Sequence, residues 1–371
     1  MTLRATGQAS RRQRLLRQGG PTILPENRIK NPDELRRMLQ SAVELEHATI
    51  PPYLCALYSL KEGTNREAAQ IIKSVVMEEM LHMILAANLL NAVCPADGRH
   101  GPRINHAEFI PRYPTHLPGN VGERLMVNLD KFSREAIGTF LTIERPAKPQ
   151  AQPERLTSGE TAYHSIGQFY EAIELGLSDL SDQGNIFTGD PSRQVTPEHY
   201  YGGGGRVVRV HDLASAKDAL NEIIGQGEGL HHTIWDGDQA FGDEVDELAH
   251  YFRFNEIHVG RRYDPRTDTP SSGPHGAPLD VQWDKVHPMH RNPRLADYPI
   301  GSELWHKTLA FNRTYMSLLD QVHHAVNGEP KRLMQSVALM YDLKYQASEL
   351  LNIPIAEGME TAGPSFEYVQ R

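Results

Sequence analysis

Only two cysteines, Cys55 and Cys94, occur in 371 residues. That is too few for a disulfide framework or a thiolate metal site, and it fits a reducing, cytoplasmic compartment. Basic residues are not in excess: 47 acidic against 38 basic side chains leave a net charge of −9. Without a basic stripe, no nucleic-acid partner is expected. No uninterrupted apolar run approaches the ~18–20 residues of a membrane span. The longest, within 83–93, is broken by Asn88 and Asn91, so no membrane partner is expected. No Gly-x-Gly-x-x-Gly follows a strand. The run Gly202-Gly203-Gly204-Gly205 lacks both a strand–helix setting and a Lys-Ser/Thr tail, so it does not read as a phosphate loop. No nucleophile elbow of the Gly-x-Ser-x-Gly type is found. Strand signals are sparse. What remains is an ordinary globular composition, 39% hydrophobic and 23% charged, which supports a core.

The first 25 residues carry Arg4, Arg11, Arg12, Arg14 and Arg17 with no acid and no apolar core, so residues 1–30 read as a disordered basic lead-in and not a secretory signal. The first helix opens at Asn31-Pro32-Asp33-Glu34, a capping residue followed by proline and acids. Apolar positions recur at Leu35, Leu39, Ala42, Thr49 and Tyr53, and Pro51-Pro52 predicts a kink near Ala48. A capping box, Thr64-Asn65-Arg66-Glu67, opens a second helix running to about Val93. Further helices are expected at about 133–144, 162–180, 213–232, 245–258, 302–327 and 330–350. Proline and glycine mark 94–132, 181–206 and 259–300 as loop-like, so the fold class is mainly α.

Chemistry shows where acids fall on faces that should be apolar. In the second helix Glu79 and His82 continue the stripe Ile72, Val75, Val76, Met83, Ala86, Leu89 and Leu90, in the form Glu-x-x-His. On the first helix Glu46 lies on the Leu35–Tyr53 stripe, whereas Glu44 does not. A buried carboxylate or imidazole needs a partner or a metal. One Glu plus a Glu-x-x-His is half of a di-metal carboxylate site in a helix bundle, a donor set suited to iron or manganese. For the second half the residues leave alternatives open. Glu228-x-x-His231 repeats the motif, His250 offers another imidazole, and Glu144, Glu171 and Glu174 are candidate carboxylates. Tyr53, Tyr58 and Tyr170 read as core, and both cysteines as structural. A haem site needs one axial His and no local motif, so the sequence leaves it open.

The segments Leu45-Glu46-His47-Ala48-Thr49-Ile50-Pro51-Pro52-Tyr53-Leu54, Glu78-Glu79-Met80-Leu81-His82 and Ala87–Ala92 resemble the ferritin-like domain of iminophenyl-pyruvate dimer synthases, of the violacein and rebeccamycin pathway type. The likeness continues through Ile143-Glu144-Arg145-Pro146, Ile166–Tyr170, Gln226-Gly227-Glu228-Gly229, His250–Phe254 and Ala362–Glu367. It implies a ferritin-like four-helix bundle with long insertions and additional C-terminal helices. Residues 31–260 would form the di-metal bundle, with insertions at 94–132 and 181–206, and 261–371 a loop region plus helices packed on it. Glu46, Glu79 and His82 would be metal ligands. The resemblance favours Glu228 with His250 over His231, and leaves Glu144 and Glu171 both open. Two iron ions, or manganese, are the implied cofactors. The implied activity is an oxidase or oxygenase of secondary metabolism that takes O₂ and a small amino-acid-derived substrate. Its rivals are a metal-binding or ferroxidase-like protein without organic substrate, and a non-catalytic interaction module. A homo-oligomer is left open.

Overall fold

A computed structural model describes residues 23–122, 125–146, 152–201, 203–229, 233–236, 247–264, 266–355 and 360–370, with the backbone alone of Glu228. Among them are eight α-helices and a single antiparallel two-stranded ribbon, β1 (Glu154–Arg155) with β2 (Thr161–Ala162). The fold is mainly α, as the apolar periodicity implies.

Helix α1, Pro32–Ser59, starts on a local signal: the Asn31 side chain accepts from the Glu34 N–H at 2.9 Å. The helix continues through buried Pro51 and Pro52. Pro52 removes the N–H that the Ala48 carbonyl would accept one turn back. The Tyr113 hydroxyl donates to that carbonyl instead, at 2.8 Å. Helix α2, Arg66–Val93, begins at the expected place by a different device. Asn65 is left-handed, with φ 47°, and forms no side-chain cap. Its amide exchanges hydrogen bonds with the backbone of Gln282, at 3.0 and 2.7 Å, so a tertiary contact replaces the capping box. Taken over a longer window, α2 is long and apolar enough to cross a membrane in spite of Asn88 and Asn91, but 89% of that stretch is buried inside the fold. Both asparagines dock later segments. Asn88 donates to the carbonyls of Val195 and Val208 and accepts from the Val195 N–H, and Asn91 donates to the Val326 carbonyl.

Helices α3 (Arg134–Ile143), α4 (Ile166–Ser181) and α5 (Leu213–Glu228) start on the side-chain caps Ser133, Ser165 and Asp212. Helix α5 ends at Gly229, whose φ of 85° stops it short of the expected 232; residues 230–232 lie outside the described set. Helix α6 is His250–Val259, and the expected start near 245 also falls outside it. Helices α7 (Glu303–Ala325) and α8 (Leu333–Leu351) close the chain. Packing is cyclic: α1 lies on α2, α2 on α5, α5 on α4 and α4 on α1. The short α3 and α6 pack on each other, with α6 also against α2 and α5. Helices α7 and α8 pair, and α8 reaches α1. One hydrophobic core joins these elements, from Ile23 to Phe366.

Candidate metal centre

Three carboxylates and two imidazoles converge in the bundle interior. Ligand atoms of Glu46, Glu79 and His82 lie within 4.8 Å of one another, and so do those of Glu79, Glu144 and His250. The two groups share Glu79. Helix α1 supplies Glu46, and α2 supplies Glu79 and His82 one turn apart. Glu144 is the C-cap of α3 and His250 the first residue of α6. All five are 3% exposed or less. The sequence alternative Glu171 lies on half-buried α4, outside both groups, and Glu174 pairs with Lys217 of α5 at 3.6 Å. The side chain of Glu228 and the whole of His231 are outside the described residues, so neither is placed here.

Each imidazole turns Nδ1 inward. His82 Nδ1 is 3.5 Å from Glu46 Oε2 and 3.7 Å from Glu79 Oε1. His250 Nδ1 is 3.0 Å from Glu79 Oε1 and 3.5 Å from Glu144 Oε2. Though buried, His250 Nδ1 makes no hydrogen bond, because the near oxygens lie off the ring's N–H direction. The rings face each other with centroids 5.5 Å apart.

The Nε2 atoms point outward. His82 Nε2 meets Gln226 Oε1 at 2.8 Å, and the Gln226 amide donates to the Gly204 carbonyl at 2.9 Å, which fixes its carbonyl oxygen toward the imidazole. His250 Nε2 meets Glu78 Oε2 at 2.8 Å. Glu78 is in turn bound by Arg253 at 2.8 Å, and Arg253 also reaches Asp236 and Glu247. An acceptor on Nε2 favours the tautomer whose Nδ1 lone pair is free to bind a cation once Nδ1 carries no proton.

Hydroxyls hold the carboxylates. Tyr170 donates to Glu46 and Tyr53 to Glu144, and Thr49 donates to Glu79 Oε2 at 2.5 Å. Tyr53 and Tyr170 are therefore both core residues and partners of the cluster, which apolar periodicity alone does not reveal.

So much buried negative charge is costly, and the acid–base balance of the metal-free protein records it. Burial above all, with the charge of Glu144, pushes the Glu46 carboxyl up to about 7. Glu79 is raised too, by burial and by its two carboxylate neighbours. Burial lowers His82. Burial acts to lower His250 as well, but Glu144, Glu78 and Glu79 outweigh it and hold the ring protonated. For Glu78, burial is opposed and overcome by Arg253 and His250, so it stays ionised. At Glu46 and Glu79 the proton offsets the cost that burial puts on the charge.

Glu78, Gln226, Arg253 and Thr49 are absent from the sequence reading of the site. Gln226 had the same signal as Glu46, a polar residue one turn beyond buried Ile223. Arg253 follows His250 by one turn and reaches the same carboxylate.

The family model described as ferritin-like matches residues 39–259, more than half of the chain and the whole stretch that carries these five residues. A crystal structure of a ferritin-like protein from Caulobacter vibrioides superposes with a TM-score of 0.59 at 21% identity, covering 86% of this chain and 96% of that one. At that identity the likeness speaks for the fold alone. No curated protein matches the sequence.

Proposed function

Because this chain belongs to the ferritin-like family, we propose that it holds two metal ions, iron or manganese, and acts as an O₂-dependent oxidase or oxygenase on a small amino-acid-derived molecule. Glu46 and His82 would hold one ion, Glu144 and His250 the other, with Glu79 between them. The observation that carries the reading is the convergence of five buried ligand side chains into two groups of three that share Glu79. A mixed carboxylate and imidazole donor set suits iron and manganese over softer metals. Bound as a pair, such ions supply redox chemistry with dioxygen. The protein's own part is to orient and shield: Tyr53, Tyr170 and Thr49 fix the carboxylate oxygens, Gln226 and Glu78 fix the imidazole tautomers, and Tyr53 with Phe140 and Phe254 packs around the Glu144 side.

The narrower reading, a metal-binding or ferroxidase-like protein without organic substrate, needs nothing beyond the same buried cluster of Glu46, Glu79, His82, Glu144 and His250. Elemental analysis of protein purified without chelator tests the common part, for wild type and for Glu79→Ala and His82→Ala. About two iron or manganese per chain is the expected result, with both lost in Glu79→Ala, the shared residue, and at least one lost in His82→Ala. Wild type that stays metal-free after anaerobic iron loading would end both readings. Oxygen consumption on addition of aromatic or other amino-acid-derived compounds separates the two.

A further inference from the structure

The two halves of the cluster are alike in their acids and unlike in their imidazoles. Each outer carboxylate, Glu46 or Glu144, accepts from a buried tyrosine. His250, however, leans on an ionised Glu78 anchored by Arg253, whereas His82 leans on a neutral amide, Gln226. The glycine run gives that amide its shorter hydrogen bond, with Glu222 Oε1 a second acceptor at 3.4 Å. The Gly204 carbonyl accepts the Gln226 Nε2 proton at 2.9 Å. Gly203, Gly204 and Gly205 all have positive φ, 71°, 77° and 124°, a path that side-chain-bearing residues rarely follow. The run also lies flush on its neighbours. A Cβ at Gly205 would collide with the Gln226 amide nitrogen and stand 2.8 Å from both Glu222 Oε1 and Leu81 Cδ2. One at Gly204 would stand 3.1 Å from Glu78 Cγ. A side chain at Gly205 would have to push the Gln226 amide aside.

We propose that the strap Gly203–Gly205 is a positioning element for one half of the metal centre: it holds the Gln226 amide so that its oxygen takes the His82 Nε2 proton, leaving Nδ1 for the metal. This rests on the di-metal reading above. The His250 half has its own support in Glu78 and Arg253. Disturbing the strap therefore costs one ion and spares the other. Loss of such an outer partner weakens metal affinity about 10–100-fold.

The test is a Mn(II) titration of the full-length, chelator-stripped chain, followed by equilibrium dialysis and electron paramagnetic resonance. Wild type is expected to bind two ions and give the spectrum of a coupled pair. Gly205→Ala and Gln226→Leu are expected to keep one ion at wild-type affinity and bind the other 10–100-fold more weakly, with the six-line signal of an isolated ion at one equivalent. Adding His82→Ala to Gln226→Leu should abolish binding at this half, because the imidazole itself is then gone, while the His250 half keeps its ion. Gly159→Ala, at φ 85° with no atom near its new Cβ, controls for backbone strain and should bind two ions. Should Gly205→Ala fail to fold, Gln226→Leu, close in shape, still decides. The proposal is overturned if either folded variant binds two ions at wild-type affinity, or if both ions are lost together. Wild type that binds no Mn(II) instead removes the metal reading, and this inference with it.

Discussion

Glu46 and His47 are neighbours in sequence with opposite surroundings. Glu46 faces the acid cluster, while His47 turns to α7, its Nε2 2.5 Å from the Tyr315 hydroxyl and its ring 4.5 Å from that of Phe109. Burial raises Glu46 to about 7 and depresses His47 to about 3, so the two act oppositely on stability. A carboxyl raised on folding stabilises the folded state below its unfolded value, near 4.5, and that contribution is lost as pH rises through about 7. Metal-free Glu46→Gln should therefore be more stable than metal-free wild type at pH 8, on the order of 1–3 kcal/mol. The difference should vanish by about pH 4, where both forms carry no charge at this position; urea melts at the two pH values check it. Metal binding must displace the protons on Glu46, Glu79 and His250, so affinity should rise with pH through neutrality, with protons released. Calorimetric titrations in buffers of different ionisation enthalpy measure that release, and an affinity flat from pH 6 to 8 would contradict it.

Helix by helix, the sequence is informative wherever the cause is local. Asn31, Ser133, Ser165 and Asp212 cap the helices they precede, and the apolar period of the second helix places its end at Val93. Glu46, Glu79 and His82 stand out for the same reason, as polar residues on apolar stripes. Where the cause is distant, the pattern is silent. Asn65 at the start of α2 pairs with Gln282, 217 residues along the chain, and the Ala48 carbonyl that Pro52 leaves free is met by Tyr113. Glu144 continues the Ile137 and Phe140 face of α3, but Glu171 and Glu174 also lie in an amphipathic helix, so periodicity alone does not choose among them, and His250 stands at the very start of its helix. Two expectations follow for the elements. Tyr113→Phe leaves the buried Ala48 carbonyl without a donor and should cost about 1–3 kcal/mol of unfolding free energy. Asn88→Leu removes three hydrogen bonds that moor the segment around Val195 and Val208 to α2. Hydrogen exchange there should quicken while the amides of α1 stay protected.

Across the molecule, the candidate ligands join stretches of chain from residue 46 to residue 250, contributed by four helices. Ions held there bind the folded chain and not the unfolded one, so they should stabilise the whole bundle, by about 3 kcal/mol at a hundredfold excess over the dissociation constant. Thermal melts against metal concentration should show that rise in wild type and none in Glu79→Ala. The C-terminal helices share the same core, and the segment after α8 lies over α1, where the Pro364 carbonyl is 3.9 Å from Cys55 Sγ. Cys94 sits at the far end of α2, its Sγ 2.8 Å from the His100 carbonyl. Burial pushes the Cys94 thiol up to about 11, and the Cys55 thiol far above its ordinary range. The chain thus carries two dormant chemical clocks. A maleimide can reach Cys55 only when the C-terminal cover lifts, and Cys94 only when the loop around His100 parts from α2. Their separate labelling rates would time two different openings of one molecule, without any engineered probe.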